Sequence, residues 1–407
     1  MNLIFFTGTY PYGPGEQWKK NEIADLIRHF DAVTVIPYSY GNNSKNPKQL
    51  PEKVMLKGPL FESDGFVLRK SDVLSIIFHR YVFVFFSEFF AKKVYLKKVH
   101  LINWMHTTLN IVKLLAHPLV KEVQQQPGDN TVLYFFWGKG SSDMLPFINT
   151  RRYKKIIVRM HRFDLFENAS NNYIPYRHKL MQKKEILIAP CSDNGKEHLL
   201  SNYPDETDHI QTVRLGTLSN GKRSIMSNDG VMRIVSCSNL TPVKRVHLMI
   251  ECLQYIDIPI LWRHFGDGYL REELTVLAKR LNVNEKFKFE GFVNTDIIND
   301  LYTNSAIDLF INTSSSEGVP VSIMEAFASG IPVFATNVGG TSEIVDDTVG
   351  QLLPENVSPT ELATAILNYS RNSSEVKKQM REQAYNRFLE KSNTAVLNKR
   401  LIQILKD

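Results

Sequence analysis

Ser314 to Val345 reads SSSEGVPVSIMEAFASGIPVFATNVGGTSEIV, and this stretch decides the fold. The run before it, Ile307–Ile311, is largely apolar, like a strand buried on both faces of a parallel sheet. A polar loop, Asn312 to Gly318, follows. Pro320 suits the first turn of a helix, where its missing N–H costs nothing. The helix runs to Ser329, Gly330 caps it, and Pro332 opens the next buried strand. This puts a helix N-terminus at the carboxyl end of a parallel strand, the edge where open α/β sheets bind ligands. The amides of Val321 and Ser322 would face outward there, and the helix dipole favours an anion such as phosphate. Glu317 stands in the loop before the helix and Glu325 on its second turn. A phosphate between them would have one carboxylate near each of its two substituents. Carboxylates accept hydrogen bonds from sugar hydroxyls. A nucleotide sugar, with ribose on one side of the diphosphate and a hexose on the other, matches that layout.

Outward from this stretch, short β-rich runs alternate with helical ones. The strand candidates are Asn2–Thr7, Ala32–Pro37, Thr131–Trp137, Lys155–Arg159, Ile186–Ala189 and Gln211–Val213 in the first half. In the second half they are Met232–Ser236, Ile260–Phe265, Lys286–Glu290, Ile307–Ile311 and Pro332–Ala335. The alternation predicts two α/β domains with parallel sheets, and 407 residues suffice for both. GTLSNGKRSIMSNDG (Gly216–Gly230) is rich in Gly, Ser and Asn and reads as the linker. The expected domains are therefore 1–216, 217–385 and a C-terminal helix, 386–407, packing back on the first.

With 43% hydrophobic and 22% charged residues, the chain is not disordered, collagen-like or a coiled coil. Three scattered cysteines, Cys191, Cys237 and Cys252, make neither a disulfide scaffold nor a zinc site and fit a reducing cytoplasm. No stretch reads as membrane-spanning. Val73 to Phe90, the most apolar, is broken by His79, Arg80 and Glu88. The opening MNLIFFTGTYPYG has no basic leader and reads as a first buried strand rather than a signal peptide.

The net charge of +7 points to an anionic partner. Arg69 to Lys121 holds nine Lys or Arg residues and two acidic ones, Asp72 and Glu88, a surplus equal to that of the whole chain. Aromatic residues are dense there, from Phe78 to Trp104. One reading is a helical excursion packed on the domain with a solvated basic face. The other is an interfacial surface for anionic membrane. No nucleic-acid module is recognisable, and no Asp-x-Asp pair or His cluster has convincing metal-ligand spacing.

The E-G-x-P-x4-E-A spacing, with SGIPVFATNVGG behind it, resembles the signature of retaining GT-B glycosyltransferases, specifically glycosyltransferase family 4. The resemblance covers essentially the whole chain. It implies a GT-B architecture, two Rossmann-like domains with parallel sheets facing across a cleft. Glu317 would contact the donor sugar, Gly318, Val321 and Ser322 would lie against the diphosphate, and Glu325 would hold the ribose. SCSNLTPVKRVHLMIECL (Ser236 to Leu253) is similar to the family's lysine element, with Lys244 on the β-phosphate. The family's usual Arg five residues earlier is Asn239 here; Arg245 or Arg263 could compensate. HFGDGYLREEL (His264 to Leu274) resembles a strand–Gly-x-Gly–helix element in which Gly266 admits the donor. FEGFV (Phe289 to Val293) resembles the nucleobase segment near Phe292, which reads equally as an ordinary packed aromatic. In VRMHRFDLF (Val158 to Phe166), His161 would face the transferred sugar. TGTYPYGPGEQW (Thr7 to Trp18) resembles the family's glycine-bearing loop over the diphosphate, with Gly13 and Gly15.

The resemblance thus implies a metal-independent retaining hexosyltransferase without cofactor. It would move sugar from a nucleotide-diphosphate sugar to a glycan or polyprenyl-diphosphate-linked acceptor. The setting would be capsule, O-antigen or exopolysaccharide synthesis, cytoplasmic and peripheral on the inner face of the cell membrane. The alternatives are a nucleotide-sugar epimerase on the same fold and a non-catalytic, membrane-associated scaffold.

Overall fold

Asn2–Thr7 (β1) is buried in all but its first residue, and its neighbours in space are equally apolar. Around it Ala32–Pro37 (β2), Val54–Leu56 (β3), Thr131–Phe135 (β4), Lys155–Met160 (β5) and Ile186–Pro190 (β6) form a parallel sheet in the order β3-β2-β1-β4-β5-β6. A second parallel sheet contains Met232–Cys237 (β7), Ile260–Phe265 (β8), Phe287–Gly291 (β9), Leu309–Asn312 (β10), Val333–Thr336 (β11) and Gly350–Leu353 (β12). Its order is β12-β11-β10-β7-β8-β9. Counted from its own first strand, the second sheet repeats the first. Each is a doubly wound sheet that reverses direction beside its first strand, between β1 and β4 and between β7 and β10, and that reversal opens a crevice at the strands' carboxyl ends.

The computed structural model describes residues 1–12, 16, 19–41, 45–63 and 69–407. Met1–Val213 and Asn398–Asp407 make one compact unit, and Arg214–Leu397 the other. Gly216–Gly230 is stitched to the second unit rather than hanging free. Thr217 pairs with Asn393, Ser224 N–H donates to Ser329 O at 2.9 Å, and Ile225 pairs with Ala306. The helix Ser374–Lys391 stays wholly with the second unit, so the return to the first begins at Asn398, inside the last helix, Thr394–Lys406, and not at 386. There Asn398 Nδ2 donates to Asp25 Oδ2 at 2.7 Å, and Leu401, Ile402, Ile404 and Leu405 are buried.

One expected strand is absent, and two strands, β3 and β12, lie outside those expected. Gln211–Val213 is no strand: its amides donate to Ile188 O and Pro190 O along the edge of β6, but only one isolated bridge forms. β3 is a three-residue edge strand between Pro51 and Pro59, too short for a periodic signal. β12 begins at Gly350, where a Cβ would stand 1.7 Å from Val333 O, so the strand pairs closely through a glycine. Pro320 is the N-cap residue rather than the first helical one, and the helix is Val321–Ala328. Gly330, past its end, has φ +65° as a C-terminal cap requires.

Candidate functional site

In the second unit the loops after β7 and β10 meet at the crevice. Pro242–Lys244 forms one 3-10 turn, after which Arg245 takes a left-handed backbone (φ 46°) and the helix Val246–Glu251 begins. The turn projects Lys244, whose Nζ donates to Glu317 Oε1 at 2.6 Å. Asn312 Nδ2, at the end of β10, donates to the same oxygen at 3.3 Å. Arg245 Nε donates to Thr313 O at 2.7 Å and its NH2 to Ser314 O at 3.1 Å. Thr313 Oγ1 returns bonds to Lys244 O and Arg245 O at 3.0 and 3.1 Å. Arg245 thus rivets the two loops together.

Arg263 Nε donates to Glu290 Oε1 at 2.7 Å. Both arginines that could compensate for Asn239 therefore already have protein acceptors, and Asn239 itself is exposed.

The loop carrying Glu317 and Gly318 is backed by a second glycine pair. Gly339 has φ +53°, and a Cβ on it would lie 1.9 Å from Glu317 O; Gly340 N–H donates to Gly318 O at 2.7 Å. Val321 and Ser322, half-buried, are the first helical residues, and the amides of a first turn have no intrahelical partner. Glu325 lies on the inner face of this helix, 5% exposed. Burial alone pushes its carboxyl up to about 8, with no cation or donor of the described residues against it.

Gly266 follows β8 with φ +133°, and a Cβ there would stand 1.9 Å from Ser238 O, so only glycine lets these backbones pass. Phe292 is 65% exposed, a surface side chain rather than a packed one. Lys244, Arg245, Glu317, Gly318, Val321 and Ser322 are thus brought together through the two loops and the helix start.

The first unit has its own crevice, between the loops after β1 and β4. A cavity of about 390 Å³ lies there, lined by residues including Thr7, Glu16, Tyr38, Trp137, Lys139 and Phe163. Glu16 is its organising group. One carboxylate oxygen accepts the N–H groups of Thr9 and Tyr10, both at 2.7 Å; the other accepts Trp137 Nε1 at 2.5 Å and pairs with Lys19 Nζ. Lys19 is fully buried over the Phe136 ring, and burial pulls its ammonium down to about 8. Sequence reading noticed Glu16 only as a neighbour of glycines and missed Lys19 and Trp137. The available signal was a tryptophan ending a buried strand just before Gly138-Lys139-Gly140.

His161 caps the short helix Arg162–Leu165, its N–H donating to Asp164 Oδ1 at 2.6 Å. Its ring lies 4.7 Å from that of Phe136 and 4.4 Å from that of Trp137. Both ring nitrogens are buried without a partner among the described residues, and desolvation, with Arg159 and Lys19 nearby, pushes the imidazole's pKa well below its usual range. Gly13 and Gly15 lie outside the described residues.

Residues 221–387 match the family model described as Glycosyl transferases group 1. The putative colanic acid biosynthesis glycosyltransferase WcaL of Escherichia coli K12 is 26% identical over 265 residues, which cover 62% of this chain and 64% of WcaL. The match therefore spans less than two thirds of that relative. Among solved structures, Anabaena HepE in complex with UDP and glucose aligns with a TM-score of 0.66 at 16% identity, covering 100% of this chain and 99% of that one. The sucrose-phosphate synthase of Thermosynechococcus elongatus aligns at 0.71 and 13%, covering 100% and 98%. Two six-stranded parallel sheets of this order, shared with those structures, are the GT-B fold, and its second unit carries the match to the group 1 glycosyl transferases.

Proposed function

We propose that the chain is a retaining glycosyltransferase of family 4, moving a hexose from a nucleotide-diphosphate sugar to a glycan or polyprenyl-diphosphate-linked acceptor in cell-surface polysaccharide synthesis. The observation that carries this reading is the meeting of Lys244 and Glu317 at the β7/β10 crevice, beside a helix start whose inner face holds Glu325. The diphosphate would lie on the Val321 and Ser322 amides and Lys244, the transferred sugar on Glu317, and the ribose on Glu325. The match to group 1 glycosyl transferases and the likeness to WcaL support it.

The bond from the anomeric carbon to the diphosphate breaks while the bond to the acceptor oxygen forms on the same face. The acceptor's proton passes to the departing phosphate oxygen. Lys244 and the helix dipole meet the charge that develops there, the role a divalent metal plays elsewhere. The cavity at Glu16 and Trp137 is our acceptor site, since aromatic walls and one carboxylate suit a pyranose with its hydroxyls. Neutral His161, beside Trp137, would face the transferred sugar. The setting is the inner face of the cell membrane.

Product analysis with labelled UDP-sugars tests this directly. Transfer to acceptor, with the anomeric configuration kept, is the expected result. Epimerised donor, or nucleotide binding without turnover on any donor, would replace the reading with an epimerase or a non-catalytic scaffold.

A further inference from the structure

Between Arg69 and Lys121 the two acidic side chains are engaged within the protein. Asp72 accepts the Arg69 N–H at 2.9 Å and faces Lys113 at 3.6 Å. Glu88 is 2% exposed and accepts Tyr173 OH at 2.9 Å and Tyr176 N–H at 3.1 Å, with His178 beside it. Lys92, Lys93, Lys97 and Lys98 are exposed, and none pairs with a carboxylate of the described residues. What this segment turns to water is cationic and apolar.

The apolar part is ordered. The helix Val82–Ala91 is hydrophobic on every side, yet only Phe85 and Glu88 on its inner line are buried. Its outer line runs Phe83, Phe86, Phe90, spaced three and four apart, with Phe83 86% and Phe90 62% exposed. A soluble helix normally keeps that face polar. On the preceding helix, Lys70–Ile77, the outer positions Val73, Leu74 and Ile77 are exposed, and Phe78 just beyond is 82% exposed. After the lysine pair 92–93, Tyr95 and Leu96 are also exposed, Tyr95 lying 6.5 Å from the Phe90 ring. Aromatic residues and lysines therefore alternate along one strip.

We propose that this strip docks the chain on an anionic lipid bilayer, with Phe78, Phe83 and Phe90 at the headgroup–acyl boundary and the four lysines over the headgroups. The two helices have eight and ten residues and meet at 95°. They are about 12 and 15 Å long, half or less of the ~30 Å hydrocarbon layer, so they lie on it and do not cross it. Basic residues near such a surface each strengthen binding, and buried apolar area adds to that. Docking deepens the acceptor part of the function above and rests on it only for its purpose; the surface itself stands without it.

The test is co-sedimentation of the full chain with vesicles of equimolar phosphatidylcholine and phosphatidylglycerol, and of phosphatidylcholine alone, at low and high salt. The expected result is pelleting with the anionic vesicles only, reversed by salt. The quadruple variant K92Q/K93Q/K97Q/K98Q should partition at least about tenfold less, as should F83S/F90S. Both should keep the wild-type thermal midpoint and its shift on adding UDP. Wild type left in the supernatant at low salt overturns the proposal and assigns the strip to a protein partner. Pelleting of both variants like wild type overturns it as well. Loss of the UDP shift in the wild type would count against the transferase reading and leave the docking result intact.

Discussion

Lys244 Nζ lies 2.6 Å from Glu317 Oε1, so the cation and carboxylate assigned to the two sides of a nucleotide sugar are held against each other. Both side chains are largely sheltered, 24% and 11% exposed, so the contact is not a loose surface pair. A diphosphate that draws Lys244 leaves Glu317, among the described residues, with Asn312 and whatever hydroxyls the sugar brings. In the proposed donor complex the pair would couple recognition of the leaving group to recognition of the sugar.

Lys244→Ala should lower kcat more than it weakens donor binding, because a cation on the leaving phosphate matters most as charge develops. Glu317→Gln releases Lys244 and should leave UDP affinity equal or higher while turnover of a UDP-sugar falls. Calorimetry with UDP beside initial rates separates the two. Normal turnover of Lys244→Ala at saturating donor would rule out the role given to Lys244.

In its proposed role on the ribose, Glu325 should make nucleotide affinity depend on pH. Its carboxyl is protonated below about 8, and donating ribose hydroxyls favour the ionised form. Affinity should therefore rise from pH 6 to 8, by up to about tenfold per unit, and level off above. Glu325→Gln should flatten that profile and weaken UDP at pH 8 by about 1.5–3 kcal/mol.

Stability moves the other way. The folded-state value is raised to about 8 from the ordinary carboxyl value of 4.5, so this group's favourable contribution is complete below 4.5 and disappears as pH climbs through 8. Glu325→Gln should thus match wild type in Tm near pH 4.5 and exceed it at pH 8. A lower Tm at pH 8 would mean the carboxylate is already satisfied.

Gly266→Ala meets Ser238 O at 1.9 Å on top of a φ of +133°, and should cost about 2–4 kcal/mol in urea unfolding and abolish UDP binding. Gly221→Ala is the control: its φ is +78° with nothing within 4 Å, so only backbone strain of about 1 kcal/mol is expected. Equal losses in the two variants would remove close approach as the reason for Gly266.

Transfer should persist in excess EDTA, since helix amides and Lys244 are assigned the charge of the leaving diphosphate. Abolition by chelation, restored by magnesium or manganese, would refute that assignment.

The strand–loop–helix unit around Glu317 and Glu325 was legible because glycine, proline and apolar runs punctuate it at fixed spacing. What stayed hidden was burial. Glu325 is one of two polar residues in the helix VSIMEAFA, and its spacing alone does not say that its carboxyl is enclosed. Lys19 opens the helix Lys19–Leu26 and reads as a solvated charge, yet it is fully buried against Glu16. Arg245 reads as a free cation next to Lys244, yet its guanidinium is bound to the carbonyls of Thr313 and Ser314, residues about seventy positions away. These are long-range facts that local pattern cannot carry.

The return of the last helix to the first unit ties a late-made segment to an early-made one. Arg214–Leu397 is one unbroken length of chain, whereas the first unit needs Asn398–Asp407 to be complete. Leu401 and Leu405 are made after the whole of Arg214–Leu397, so their contacts in the first unit form only once every residue of the second has been synthesised. A stop codon at 398 would spare every residue of the second unit and strike the one that was begun first.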